Sequence, residues 1–188
     1  MKEIEILVEV FSAKEEALGV LNKFKFLGEK SVLDIYFFDP AKDNLRPDKN
    51  FRLRESFRLR QKGQNNYITH KKDIFNEKDI WLYSDEEETK VENFEVTKNI
   101  IDNLGFKELV KIKILKYIFS YKNYEIILEQ VDNLGLFLEV ELQSEGQDVD
   151  VAKIKKEIMT FIKSLQLNVS DELNAGKPEL MLRKLFSN

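Results

Sequence analysis

This 188-residue sequence predicts an α+β fold: a closed eight-stranded antiparallel β-barrel with helices packed outside it. Three observations carry the prediction. About eight segments alternate apolar and polar residues with the period of two of a half-buried strand. Helical spacing appears in the segments between and after them. On several strands the polar face carries charge of a single sign. Helices need an apolar surface to pack on, and the apolar strand faces supply one. Closing the sheet then leaves the helices outside and the charges within.

The elements follow in chain order. Residues 3–11 alternate and form the first strand. Ser12 and Glu15 make a capping-box pattern ahead of Ala17, Leu18, Leu21 and Phe24, which recur at helical spacing, and Gly28 closes that helix. A strand over 31–38 leads into a polar, proline-containing loop over 40–49. Residues 51–60 alternate aromatic or aliphatic side chains with arginine; Asn65-Asn66 marks a turn, and 67–72 is the returning strand. After a strand over 82–92, Asn93 caps a helix carrying Val96, Ile100, Ile101 and Leu104, which Gly105 ends. Strands over 109–121, 124–131 and 136–142 read as a meander. Helices over 151–165 and 178–186 complete a single domain spanning 1–188, with the barrel at about 1–142 and a helical part at about 147–188.

Composition narrows the function. The chain is 43% hydrophobic and 34% charged, yet its net charge is only -4. With a pI near 5.3 it is a poor partner for nucleic acid or an anionic membrane. The absence of cysteine removes disulfides and thiolate metal sites, and His70 alone cannot build a histidine-rich zinc site. No apolar run reaches 18 residues and the first residues lack a signal-peptide pattern, so a cytoplasmic protein is expected. A homodimer is left open.

The charges are the informative feature. Glu3 and Glu5 share a strand face, as do Arg58 and Arg60, Glu86 and Glu88, and Glu139 and Glu141. A bland alternative is a sheet with its charged side in water. Exposed strands, however, tend to mix signs, because like charges on one face repel. Inside a barrel, carboxylates would call for hard cations such as Mg²⁺ or Mn²⁺. Arginine and lysine would call for an anion, and guanidinium forks match phosphate oxygens. A metal with a polyphosphate satisfies both sets.

The order of these motifs resembles the CYTH superfamily of triphosphate-tunnel enzymes, which includes class IV adenylyl cyclases, thiamine triphosphatases and inorganic triphosphatases. An opening E-x-E is Glu3-Ile4-Glu5, and a D-x-Y-F strand is Asp34-Ile35-Tyr36-Phe37. R-x-R is Arg58-Leu59-Arg60, with Arg52-Leu53-Arg54 competing upstream. L-T-x-K stands as Ile68-Thr69-His70-Lys71, and the later E-x-E as Glu86-Glu87-Glu88. The closing stretch runs from Leu128-Glu129-Gln130-Val131 to Glu139-Val140-Glu141.

The resemblance implies metal ligation by Glu3, Glu5, Glu129, Glu139 and Glu141 with Mg²⁺ or Mn²⁺. It implies substrate contacts from Arg58, Arg60, Lys71, Lys116, Glu86 and Glu88, with Arg58, Arg60 and Lys71 also catalytic. The glutamates of the 86–88 pair either bind metal or position the basic residues. The substrate would be a nucleoside triphosphate or another polyphosphate, and the loop spacing is nearest the class IV cyclases; a triphosphatase or a weakened binding module is the alternative. His70 points away from Lys71 and reads as a surface or packing residue; Trp81 reads as packing, or as a stacking platform for a base.

Several positions depart from the family pattern. Leu7 and Ile114 stand where relatives carry lysine, Ser84 stands where many carry arginine, and Lys177-Pro178 precedes Glu179-Leu180 in the tail. Arg52, Arg54, Lys90, Lys111 and Lys113 are the candidate replacements, and turnover slower than in fully equipped relatives is expected.

Overall fold

The structure, a computed structural model, describes residues 2–142 and 150–186, with only the backbone of residues 2 and 3. Among the described residues, eight strands are β1 (Lys2–Glu9), β2 (Lys25–Phe38), β3 (Glu55–Lys62), β4 (Asn65–Phe75), β5 (Trp81–Val91), β6 (Lys107–Tyr121), β7 (Tyr124–Val131) and β8 (Gly135–Leu142). The same residues form four helices, α1 (Lys14–Leu21), α2 (Phe94–Asn103), α3 (Val151–Ser164) and α4 (Lys177–Phe186). The strands form an antiparallel ring in the order β1-β5-β4-β3-β2-β6-β7-β8. Residues 147–149 of the expected helical part lie outside the described residues.

The ring closes only in part between β1 and β5, where Lys2 pairs with Asp85 and Glu3 with Ser84. Beyond those two pairs the strands part, and the tail before α4 fills the gap. Ser170 N donates to Glu9 O and Leu173 N to Leu7 O. On the other side, Trp81 N donates to the Asn174 side chain at 2.6 Å. The segment thus satisfies edge groups of β1 and β5 that would otherwise be left without partners.

Period two then sorts the side chains. Outward residues Ile4, Ile6, Val8, Ile126, Leu128, Leu138 and Val140 meet Ala17 and Leu21 of α1 and Ile158 and Ile162 of α3 in one buried cluster. Ile35, Phe37 and Leu59 meet Phe94 and Ile101 of α2. The third cluster comes from the inward faces: Leu7, Val32, Tyr36, Val110, Ile112, Ile114, Val131 and Phe137 pack on Met181 and Leu182 of α4. An apolar plug therefore fills one end of the barrel, and α4 covers it.

Local corrections have clear causes. Ala13, not Ser12, is the N-cap of α1, and it makes no side-chain cap; the Ser12 hydroxyl instead accepts from Asn168 N at 3.3 Å. Phe24 lies beyond α1. Gly28 does not end that helix; it sits in β2 at a bulge opposite β6 with φ 132°, a conformation that favours glycine. The β3–β4 turn falls at residues 63–64, and Asn65 already pairs with Lys62. Phe51 has φ 59° and does not begin a strand. Asn93 does cap α2, accepting from Val96 N at 3.0 Å.

Candidate functional site

Cross-strand neighbours build the interior. Arg60 stands opposite Asp34, Arg58 opposite Tyr36, Lys71 opposite Glu86 and Lys116 opposite Glu129. Glu5 stands opposite Glu141, which on its other side faces Glu125. These side chains border a cavity of about 320 Å³ or pack just behind it; its lining includes Glu5, Arg58, Arg60, Lys62, Lys71, Glu86, Glu88, Lys116, Glu125, Glu139, Glu141 and Lys177.

The basic side is graded by how far its charges are already spent. Arg60 is bidentate to Asp34, with Nε–Oδ1 at 2.7 Å and Nη2–Oδ2 at 2.8 Å. Burial pushes the Asp34 carboxyl up, and the Arg60 guanidinium more than reverses this, bringing it to about 2. Arg58 is looser: its contacts to Glu86 and to the Tyr36 hydroxyl are 3.4 and 3.5 Å. Its Nε is buried and has no hydrogen-bond partner among the described residues. Lys71 lies 3.3 Å from Glu5 and 3.9 Å from Glu86. Glu86 thus holds Arg58 and Lys71 side by side, while Glu88 accepts from the Thr69 hydroxyl at 2.9 Å.

The Asp34 pair carries a pH dependence. A depressed folded pKa gives stability that is present above the unfolded value near 3.8 and is lost as pH falls through about 2. The shift is worth about 2 kcal/mol. Acid unfolding of Asp34→Asn, followed by circular dichroism, is expected to lack that component between pH 4 and 2. An unaltered slope would show that the pair is not formed in solution.

The acidic side holds its own cations. Glu129 is fully buried; Lys116 lies 2.7 Å from its Oε1, a charge contact with poor hydrogen-bond direction, and Lys177 lies 2.6 Å from its Oε2. Lys177 also donates to Glu139. Burial pushes the Glu139 carboxyl up, but Lys177 and Lys116 outweigh it, and the group sits far below the usual carboxylate range. Glu3 contributes its backbone to the β1–β5 pairing, and its side chain lies outside the described residues.

Glu125, Glu141 and Glu5 form a row of directly opposed carboxylates on three neighbouring strands, an arrangement that like-charge repulsion disfavours. Oxygen donors of this kind suit Mg²⁺ or Mn²⁺. Among the described residues no three carboxylates yet form a cage. The donor chemistry fits a hard cation, and lysines hold part of the set.

The departures acquire physical meaning here. Leu7 and Ile114 face inward but belong to the apolar plug under α4. Ser84 is buried, donates to Asp73 at 2.6 Å and accepts from the Trp81 indole at 3.1 Å. Trp81 has the Lys71 and Lys155 ammonium groups over its ring at 5.4 and 5.3 Å, which favours packing over base stacking. None of the candidate replacements lines the cavity. Lys113 and Lys111 instead border an outer groove beside α4, Arg54 pairs with Asp79, and Arg52 serves the tail. The added cations are Lys62, which continues the period of Arg58 and Arg60, and Lys177. His70 is half-exposed, 3.6 Å from Glu55.

The CYTH domain family matches residues 1–174. The chain belongs to the CYTH family. A Methanocaldococcus jannaschii protein carrying the name of a candidate adenylate cyclase is 32% identical over 187 residues, covering 98% of this chain and all of that one. A Pyrococcus horikoshii structure superposes with TM-score 0.78 at 24% identity, over 96% of this chain and 99% of that one. A Hippeastrum structure, described as a candidate adenylyl cyclase with dominant triphosphatase activity, gives TM-score 0.62 at 15% identity over 93% and 92% of the two chains. This CYTH barrel also has no helix, among the described residues, long and apolar enough to cross a membrane.

Proposed function

We propose that this CYTH barrel is a divalent-cation-dependent enzyme acting on nucleoside triphosphate or another polyphosphate. The observation that carries the reading is Arg58, a buried guanidinium whose Nε lacks a partner among the described residues and whose other contacts are long. A phosphate oxygen would complete it. Lys71, Lys62 and Lys116 extend the anion's track, Glu86 positions Arg58 and Lys71, and Arg60 is fixed by Asp34. Glu5, Glu141 and Glu139 would hold Mg²⁺ or Mn²⁺, with Glu125 beside them and Glu129 behind. The bound ion would neutralise phosphate charge and raise the acidity of the attacking group.

The relatives' names favour cyclisation of ATP: the ribose 3′-hydroxyl gives up its proton to solvent, its oxygen bonds to the α-phosphorus, the bond from that phosphorus to the α–β bridging oxygen breaks, and pyrophosphate leaves. The Hippeastrum protein's description favours a second reading, in which water attacks the terminal phosphorus, the bond from that phosphorus to its bridging oxygen breaks, the diphosphate leaves and orthophosphate is the other product. The test is incubation with ATP, tripolyphosphate and thiamine triphosphate, each with Mg²⁺ or Mn²⁺, and identification of products. Cyclic AMP with pyrophosphate supports the first reading, and orthophosphate the second. No product and no binding would overturn both.

Leu7 bears on how fast the reaction runs. It packs in the apolar plug yet lines the cavity, so a lysine there can keep its stem in the plug and place its ammonium among the phosphates. Leu7→Lys is expected to tighten tripolyphosphate about tenfold, the scale of one charge-assisted contact. Unchanged affinity and rate would remove Leu7 from the account of slow turnover.

A further inference from the structure

Lys177 is the first residue of α4, and its ammonium reaches two carboxylates of the candidate cation site, Glu129 and Glu139. Its side chain is 12% exposed, so water does little to hold the charge. The helix start that presents it is fixed from behind: Glu179 accepts from Leu53 N at 2.8 Å and from Gly176 N at 2.7 Å.

The local charge count matters. Glu129 and Glu139 carry two negative charges, and Lys116 and Lys177 carry two positive ones, with Lys116 at 2.7 Å from Glu129 and 4.0 Å from Glu139. The group is neutral as it stands. A divalent ion entering it would leave these four side chains two positive charges in excess; Glu5 and Glu141, which line the same cavity, offset part of that, and low dielectric makes the remainder costly. With Lys177 withdrawn, the same carboxylates and Lys116 carry one net negative charge and accept the ion. The lysine stem is flexible, so the ammonium can retract while the backbone stays anchored.

We propose that Lys177 is a tethered cation that occupies the Glu129–Glu139 position, so that a divalent ion engages those two carboxylates only by expelling it. This rests on the reading of the barrel as a divalent-cation site. It makes α4 a built-in competitor of the metal rather than a passive cover. Low metal then leaves the deep end of the site closed, and loading with metal opens it.

The test is calorimetric titration of Mn²⁺ into the full chain and into Lys177→Met, which keeps the stem and removes the charge. Mn²⁺ is expected to bind the variant at least tenfold more tightly. Equal or weaker binding would overturn the proposal and leave the metal reading intact. Nitrogen-15 spectra of the lysine ammonium groups in the unaltered protein, assigned with Lys177→Arg, decide the matter even if Lys177→Met fails to fold. Saturating Mg²⁺ is expected to shift the Lys177 signal, and a signal that stays in place while Mg²⁺ binds overturns the proposal. If neither protein binds Mn²⁺, even with tripolyphosphate present, the metal reading falls and this proposal with it.

Discussion

Glu129→Gln is expected to destabilise the fold by about 3 kcal/mol, near the lower end for breaking a buried ion pair. Glu129 is fully buried between two ammonium groups, Lys116 at 2.7 Å and Lys177 at 2.6 Å. Glutamine keeps the shape but offers one neutral oxygen and a donor where both neighbours need an acceptor. Glu139 remains beside both lysines, which keeps the loss from reaching the upper end of the range. For a chain of this length the change corresponds to a fall of roughly 6–12 °C in the unfolding midpoint. Calorimetry in metal-free buffer measures it. A midpoint within about 2 °C of the parent would mean that Glu129 is not carrying a charge between the two lysines.

The sequence made the barrel legible because period two leaves little choice. Once a strand buries Ile4 and Ile6, Glu5 must face the other way, and Glu5, Arg58, Arg60, Lys71, Glu86, Glu139 and Glu141 all border one cavity. Three things were not legible. Asp34 lies in the D-x-Y-F stretch, but its fork with Arg60 depends on the β2–β3 register, which a single sequence does not specify. Glu125 needs the β7–β8 register to stand opposite Glu141. Lys177 reaches the interior from a helix 35 residues beyond β8, and no local period links it to the strands. Its signal was indirect: the inward lysine positions had become Leu7 and Ile114, and the apolar surface they made had to be covered by something, which is α4. Gly28 failed for a different reason. Glycine ends helices and also permits bulges, and only the pairing of β2 with β6 tells the two apart.

Arg58→Gln is expected to weaken tripolyphosphate binding at least a hundredfold while the fold survives, and Arg60→Gln is expected to do the reverse. The two arginines are two residues apart on one strand face and carry the same charge, so sequence alone treats them alike. Their partners separate them. Arg60 spends two donors on Asp34, which is 1% exposed; removing the guanidinium orphans a buried carboxylate, a loss of about 3–5 kcal/mol in stability. Arg58 has only long contacts, and removing it leaves Glu86 beside Lys71 at 3.9 Å, so the fold loses far less. What Arg58 has in reserve is a buried Nε and a loosely held fork facing the cavity. Two charge-assisted bonds to phosphate, each about 1.5–3 kcal/mol, exceed the 2.7 kcal/mol that a hundredfold change in affinity requires. Titration of tripolyphosphate and thermal unfolding of both variants, run side by side, give four numbers. If Arg60→Gln loses the affinity and Arg58→Gln the stability, the anion does not seat where the loosely held guanidinium places it.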